Sequence, residues 1–326
     1  MSDRLILGID GGGTKVHLAL ADGSGRLVRQ AVGGGVNPID NPHRWRQTLV
    51  AELRAFAGEP RLAAVAAALP AYGEVDEASR QQREAVAEVF DPLPQVVMND
   101  VDAAHVGAFA GEAGILILSG TGSMAWARDD QGRSWRVGGW GDVIGDEGSS
   151  HWIGLRVLAR VSQSLDGRAG ETALVEAVFQ HLALDRARPM DALEGWVTRQ
   201  TNLRAGVASL ARIASGLAEA GDAGALGIID EAADELARHV TAIAAQSGLS
   251  PTWSYAGGTF RSQALLRAVA DRLGRAPVEP RLPPIGGTLL VAARHLDWPV
   301  PPAWIERLAA SIAASPAMAE APQQDN

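Results

Sequence analysis

Asp10 ends a short apolar run, Leu5–Ile9, and is followed by Gly11-Gly12-Gly13-Thr14-Lys15. Glycines let backbone N–H groups approach an anion with no Cβ in the way, and a threonine hydroxyl adds a donor. A carboxylate ahead of such a turn can hold Mg2+, directly or through water, against phosphates. Asp is also a common turn former, so the residue alone decides nothing. Three further segments share the composition: Ser119-Gly120-Thr121-Gly122-Ser123, Gly257-Gly258-Thr259 and Gly286-Gly287-Thr288. Each is expected as a turn at a strand end. One such turn is often plain geometry, but four bearing threonine favour phosphate binding. None fits G-x-x-x-x-G-K-[ST], which excludes a P-loop enzyme, and none fits G-x-G-x-x-G between strand and helix, which argues against a dinucleotide site.

Asp100 and Asp102 follow a short apolar segment and open a helical one. Either suits a helix cap. Either also suits a general base, since phosphoryl transfer to a hydroxyl needs a carboxylate to orient and deprotonate the attacking oxygen. Asn99 beside them could orient a ligand. The stretch Val137–Ser149, V-G-G-W-G-D-V-I-G-D-E-G-S, combines five glycines, one tryptophan and three carboxylates. Trp140 offers an apolar face to a sugar ring, and Asp146 and Glu147 can accept hydroxyl protons. The seven histidines show no metal-ligand spacing and read as structural or surface residues.

The elements that must position these groups follow from periodicity. Leu5–Ile9, Val16–Ala21 and Leu27–Val32 read as an antiparallel meander, its second turn being Asp22-Gly-Ser-Gly-Arg26. Helix is expected over 44–56, 77–90 and 103–109, and strand over 62–69 and 96–98. The opening then recurs: strands at Ile115–Leu118, Met124–Ala127 and Ser134–Val137, with a second D-x-x-G-R turn at Asp129–Arg133. This spacing suits a duplicated domain rather than a solenoid. Beyond 149 helices predominate, over 150–161, 172–182 and 204–246, with one strand at Trp253–Ala256 and helices over 260–272, from Gly286–Thr288 to about His295, and over 304–314. The Ala/Pro/Gln-rich end, 315–326, reads as a disordered tail.

The chain has 326 residues and a formal charge of −9. That balance gives no electrostatic footprint for nucleic acid or an anionic membrane. It has no cysteine, which excludes disulfides, thiolate nucleophiles and cysteine-ligated clusters. Leu5–Ile9 is too short for a signal-peptide core or a membrane span, so a cytoplasmic location is expected.

These segments together resemble the actin-like ATPase superfamily of sugar kinases, and more closely the N-acetylglucosamine kinase branch of the BadF/BadG/BcrA/BcrD ATPase family. The resemblance rests on Ile9–Lys15, Asn99-Asp100, Ser119–Ser123 and Gly138–Ser149, supported by Ala220-Gly-Asp222, Ala256-Gly-Gly258 and Gly286–Thr288. It implies an α/β chain of two ribonuclease-H-like domains with a central interdomain cleft, divided as 1–113 and 114–300, with a helix at about 302–314 packing back on the first. It implies ATP and Mg2+, a homodimer, and phosphorylation of an amino sugar, N-acetylglucosamine at its 6-hydroxyl. Asp100 matches the catalytic base, with Asp102 as the fallback. Asn37, Thr121, Gly139, Trp140 and Asp146 match sugar contacts. Asp10, Gly12, Gly13, Thr14 and Lys15 match the first phosphate loop, with Mg2+ at Asp10; Thr121 and Gly122 match the second, and Gly257 and Gly258 the adenosine side. Leu69-Pro70 departs from the small polar residues of related kinases, which bears on contacts to the sugar's amide side. The alternatives are a glucosamine or other hexose kinase, and a non-catalytic nucleotide or sugar binder. A third, an ATP-driven electron-transfer activator, needs cluster cysteines that this chain lacks.

Overall fold

The computed structural model describes residues 3–315. They form two compact units, one of 3–113 with 279–315 and one of 114–278.

In the first unit, β1 (Leu5–Gly11), β2 (Lys15–Asp22) and β3 (Leu27–Gly34) form an antiparallel meander. Helix α1 (Trp45–Ala57) follows, then β4 (Leu62–Leu69), α2 (Asp76–Phe90), β5 (Gln95–Asn99) and α3 (Asp100–Phe109). The sheet order is β3-β2-β1-β4-β5, with β4 parallel to both β1 and β5. Alternation sorts the side chains: Leu5, Leu7, Ile9, Leu18 and Leu20 pack against Leu49, Leu53 and Phe56 of α1, whereas Ile6, Ala19 and Ala21 face the opposite way. A strand covered on both faces needs no polar positions, which is why all eight residues of β4 are buried.

The second unit repeats the plan. Strands β6 (Gly114–Ser119), β7 (Ser123–Arg128) and β8 (Ser134–Gly138) form the meander. Helices α4 (Ser150–Leu165), α5 (Leu174–His181), α6 (Pro189–Arg199), α7 (Leu203–Ser209), α8 (Ala211–Glu219) and α9 (Ala223–Ser247) precede β9 (Trp253–Ala256), which pairs parallel to β6 as β4 does to β1. Helix α10 (Gln263–Leu273) completes it. The two D-x-x-G-R turns carry one hydrogen-bond pattern. Asp22 Oδ1 accepts from the Ser24 and Arg26 N–H at 2.8 and 3.1 Å. Asp129 Oδ1 accepts from the Gln131 and Arg133 N–H at 3.0 and 2.8 Å. Gly25 and Gly132 supply positive φ, 87° and 80°, at the same place. The recurrence in sequence is thus a recurrence in structure.

The chain then returns to the first unit with α11 (Pro284–His295) and α12 (Pro302–Ala313). Two expectations need correction here. Residues 279–300, read as part of the second half, belong to the first unit. Gly286–Thr288 is not a turn at a strand end, because all three residues lie buried inside α11. A Cβ on Gly287 would meet the Ala103 carbonyl of α3, and one on Gly8 of β1 would meet Thr288 and Leu289. These glycines therefore let α11, α3 and β1 approach closely. The expectation of a disordered tail falls, from 316 onward, outside the described residues. Helix α6 went unread in the sequence; its signals were Pro189 at the first helical turn and the spacing of Leu193, Trp196 and Val197.

Candidate functional site

In the first unit the carboxyl ends of β1, β4 and β5 lie together: Asp10 is the register partner of Ala68, and Leu69 that of Asn99. In open α/β sheets ligands gather at such ends. The turn after β1 is closed by Gly12 N–H donating to the Lys15 carbonyl at 2.8 Å, and Val36 N–H donates to the Gly12 carbonyl at 3.0 Å. This lays the 35–37 segment on the turn, so close that a Cβ on Gly35 would strike the Gly13 carbonyl. Asn37 is oriented there by donating to Asp40 at 2.8 Å. Gly13, Thr14 and Lys15 are exposed, leaving the turn open to a ligand.

Asp100 opens α3. The cap is Asn99, whose Oδ1 accepts from Val101 N–H at 2.9 Å, and Asp100 Oδ1 accepts from the same N–H at 3.0 Å. Burial pushes the Asp100 carboxyl up to about 6; bonding to the Val101 N–H opposes this, and the charges of Glu74 and Asp102 add to it. Asn99 Nδ2 donates to the Tyr72 carbonyl at 2.8 Å and reaches Glu74 Oε1 at 3.4 Å, tying the loop after β4 to this site. Asp10 is pushed up to about 7, first by burial and then by the Asp100 charge, with Lys15 opposing. The sequence-predicted Asp10, Gly12, Gly13, Thr14, Lys15, Asn37, Asp100 and Asp102 thus share one region of one unit.

Mg2+ fits this chemistry. Two carboxylates under mutual repulsion are relieved by a cation, and Mg2+ is commonly held by one or two carboxylates with waters and substrate phosphates completing its shell. No group of three or more acidic or histidine side chains that could cage a metal occurs among the described residues. His17, the antiparallel partner of Asp10, has a buried Nε2 with no hydrogen-bond partner. Burial, then the charge of Lys15, lowers its pKa to about 4, so the ring is neutral.

The remaining predicted residues lie in the second unit. The turn after β6 closes with Gly120 N–H donating to the Gly122 carbonyl at 2.9 Å. Gly257, at φ 102°, lies against it so closely that a Cβ would meet the Ser119 carbonyl. Ser150 at the start of α4 donates from both N–H and Oγ to the Gly120 carbonyl at 2.8 Å. Asp146 is buried; it accepts from Ser123 N–H at 3.2 Å and pairs with Arg204 of α7 at 2.6 Å. Gly139 N–H donates to the Ser123 carbonyl at 2.9 Å, and Arg136 donates to the Gly139 carbonyl. Trp140 is 72% exposed, beside the similarly exposed Val143 and Ile144.

A cavity of about 470 Å³ opens beside these turns, lined by Gly120, Thr121, Gly258 and Thr259 on one side and by Ser209, Arg212 and Ser215 of α7 and α8 on another. That volume falls in the range of small-molecule sites. Sequence reasoning missed this helical wall because 204–246 read as continuous helix, whereas it is three helices. The break before α9 was visible as Ala220-Gly-Asp222: Asp222 caps α9 through Ala225 N–H at 2.8 Å and holds Thr172 at 2.7 Å. Also missed were Arg204, Glu74 and His17, whose roles arise only from tertiary neighbours. No helix among the described residues is long and apolar enough to cross a membrane.

Known proteins share this organisation. The chain is 29% identical over 245 residues to an N-acetylmuramic acid/N-acetylglucosamine kinase of Clostridium acetobutylicum, covering 74% of this chain and 79% of the other. It is 25% identical over 288 residues to an N-acetyl-D-glucosamine kinase of Dictyostelium discoideum, covering 82% and 88%. A crystal structure of a candidate N-acetylglucosamine kinase from Chromobacterium violaceum superposes with a TM-score of 0.70 at 26% identity, covering 89% of this chain and 99% of that one. The profile of the BadF/BadG/BcrA/BcrD ATPase family matches residues 7–292. With two β-sheets of related topology, each carrying its glycine turns, the chain belongs to the BadF/BadG/BcrA/BcrD ATPase family and has its two-domain actin-like ATPase fold.

Proposed function

We propose that this protein is an ATP-dependent amino-sugar kinase that phosphorylates N-acetylglucosamine at its 6-hydroxyl, with Asp100 as the general base. The observation that carries the reading is Asp100 itself. It is a half-buried residue at the carboxyl ends of the parallel strands β1, β4 and β5, and burial brings its carboxyl to about 6, near the value that suits proton abstraction at neutral pH. Asp102 perturbs it from the same helical turn, and the base role is assigned to Asp100 because its charge also reaches Asp10.

The nucleotide reading draws on the cavity at Thr121 and Gly258, with Gly122 and Gly257 shaping its turns. The first turn, Gly12–Lys15, is assigned to phosphate. Mg2+, held at Asp10, would neutralise charge developing on the transferred phosphoryl group. Asn37 in the first unit and Thr121, Gly139 and Trp140 in the second are assigned to the sugar. Asp146, oriented by Arg204 and Ser123, keeps lone pairs for a sugar hydroxyl. A cytoplasmic homodimer completes the proposal. Two of the three curated relatives and the Chromobacterium structure are kinases of N-acetylated amino sugars by name, which supports the acetylated substrate; a third relative, 28% identical over 194 residues, is a glucosamine kinase of Vibrio cholerae and supports the alternative.

A coupled assay with ATP and Mg2+, offering N-acetylglucosamine, N-acetylmuramic acid, glucosamine and glucose, tests the reading. Turnover highest with N-acetylglucosamine is expected. Turnover with glucosamine alone would move the substrate, and nucleotide binding without turnover of any sugar would favour a non-catalytic binder.

A further inference from the structure

A buried polar atom without a partner calls for an explanation, and an unplaced water or ion is one of the few available. Among the described residues His17 Nε2 is such an atom. Its placement makes it informative. His17 and Asp10 are register partners across the β1–β2 pair, so their side chains stand on the same face of the sheet. That is the face of Ile6, Ala19 and Ala21, covered by α3 and α11, and Asp100 lies in the first turn of α3, where its charge acts on Asp10. With the ring proton on the other nitrogen, Nε2 is an acceptor, and Asp10 beside it can only accept once ionised. Two acceptors side by side cannot satisfy each other; water donating to both can.

We propose that His17 is a positioning residue for the divalent cation: Nε2 accepts a hydrogen bond from a water in the hydration shell of the ion held at Asp10. The inference rests on the kinase reading insofar as that reading places a cation at Asp10. Mg2+ gives up its waters reluctantly, and those waters are polarised donors. An acceptor fixed in a β-strand orients them without contributing charge or competing for the metal. The fold then fixes where the hydrated ion sits, rather than leaving it to the phosphates alone. Groups that orient a metal's ligands from outside the coordination shell typically change metal affinity by about 10–100-fold when removed.

The test is Mn2+ affinity, read by electron paramagnetic resonance on the ADP-loaded protein in the absence of turnover. His17→Leu, which removes the acceptor, should weaken Mn2+ binding about tenfold, while ADP affinity measured in EDTA stays unchanged. His17→Gln, which restores an acceptor, should recover most of the loss. Equal Mn2+ affinity in wild type and His17→Leu overturns the proposal. If the wild type bound no Mn2+ beyond that of free ADP, the placement of the cation at Asp10 would itself fail. Should the leucine variant not fold, nitrogen NMR of histidine-labelled wild type decides. Adding Mg2+ to the ADP-loaded protein should shift the His17 Nε2 resonance, and an unmoved resonance overturns the proposal.

Discussion

The negative charge of Asp100, at the start of α3, reaches Asp10 at the end of β1 and helps burial push the Asp10 carboxyl up to about 7. Two acidic groups from segments some ninety positions apart thus share one electrostatic environment, and that environment disfavours holding both charges at once. A cation held at Asp10, as proposed, would relieve the repulsion between the two charges.

Replacing Asp100 by Asn keeps the shape and removes the carboxylate proposed as the base. Turnover with N-acetylglucosamine should fall by about 10²–10⁴-fold, the usual contribution of general acid–base catalysis. Sugar affinity, measured calorimetrically, should change little. An unchanged rate would move the base elsewhere, with Asp102→Asn as the next variant.

The free-enzyme rate constant kcat/KM should decline as pH falls through about 6, the value to which Asp100 is raised. A pH–rate profile from 5 to 8 checks this. A flat profile would mean that no group titrating in that range abstracts the proton.

Stability should carry the opposite signature in the absence of metal. Asp10 and Asp100 titrate at about 7 and 6, above the ordinary 3.8. Between about pH 4 and pH 7 the folded chain therefore retains protons that the unfolded chain has released, and these two groups destabilise it progressively as pH rises. Asp10→Asn should remove much of this slope in urea titrations at pH 5 and pH 8. Mg2+ with ADP should stabilise the wild type at pH 8 more than it stabilises the variant.

Gly287→Ala tests the close approach of α11 and α3. The added methyl meets the Ala103 carbonyl, backbone that cannot rotate away. A loss of about 1–3 kcal/mol is expected, as for overpacking in general. Because α3 carries Asp100, turnover should fall as well. A melting temperature equal to that of the wild type would contradict the packing described.

Filling the second-unit cavity with Ser215→Trp should weaken ADP binding at least tenfold in titration calorimetry, since Ser215 lines the wall facing Thr121 and Gly258. Unaltered ADP affinity would place the nucleotide outside this cavity.

The sequence by itself determined the features whose causes are local. Short apolar runs and the D-x-x-G-R turns set both meanders, because a turn's hydrogen bonds close within five residues. Asp10 with its glycines, Asn99-Asp100 and the Gly138–Ser149 stretch stood out by composition, while the roles proposed for them came from the family resemblance. Only the tertiary structure decided what depends on distant neighbours. Gly286-Gly287 matches the glycine turns in composition, yet it serves helix packing, because what a glycine does depends on what approaches it. His17 has no ligand spacing in the chain and acquires meaning from its register partner Asp10. The raised values of Asp10 and Asp100 likewise come from burial and from charges on other elements, and desolvation and Coulomb energy act through space rather than along the chain.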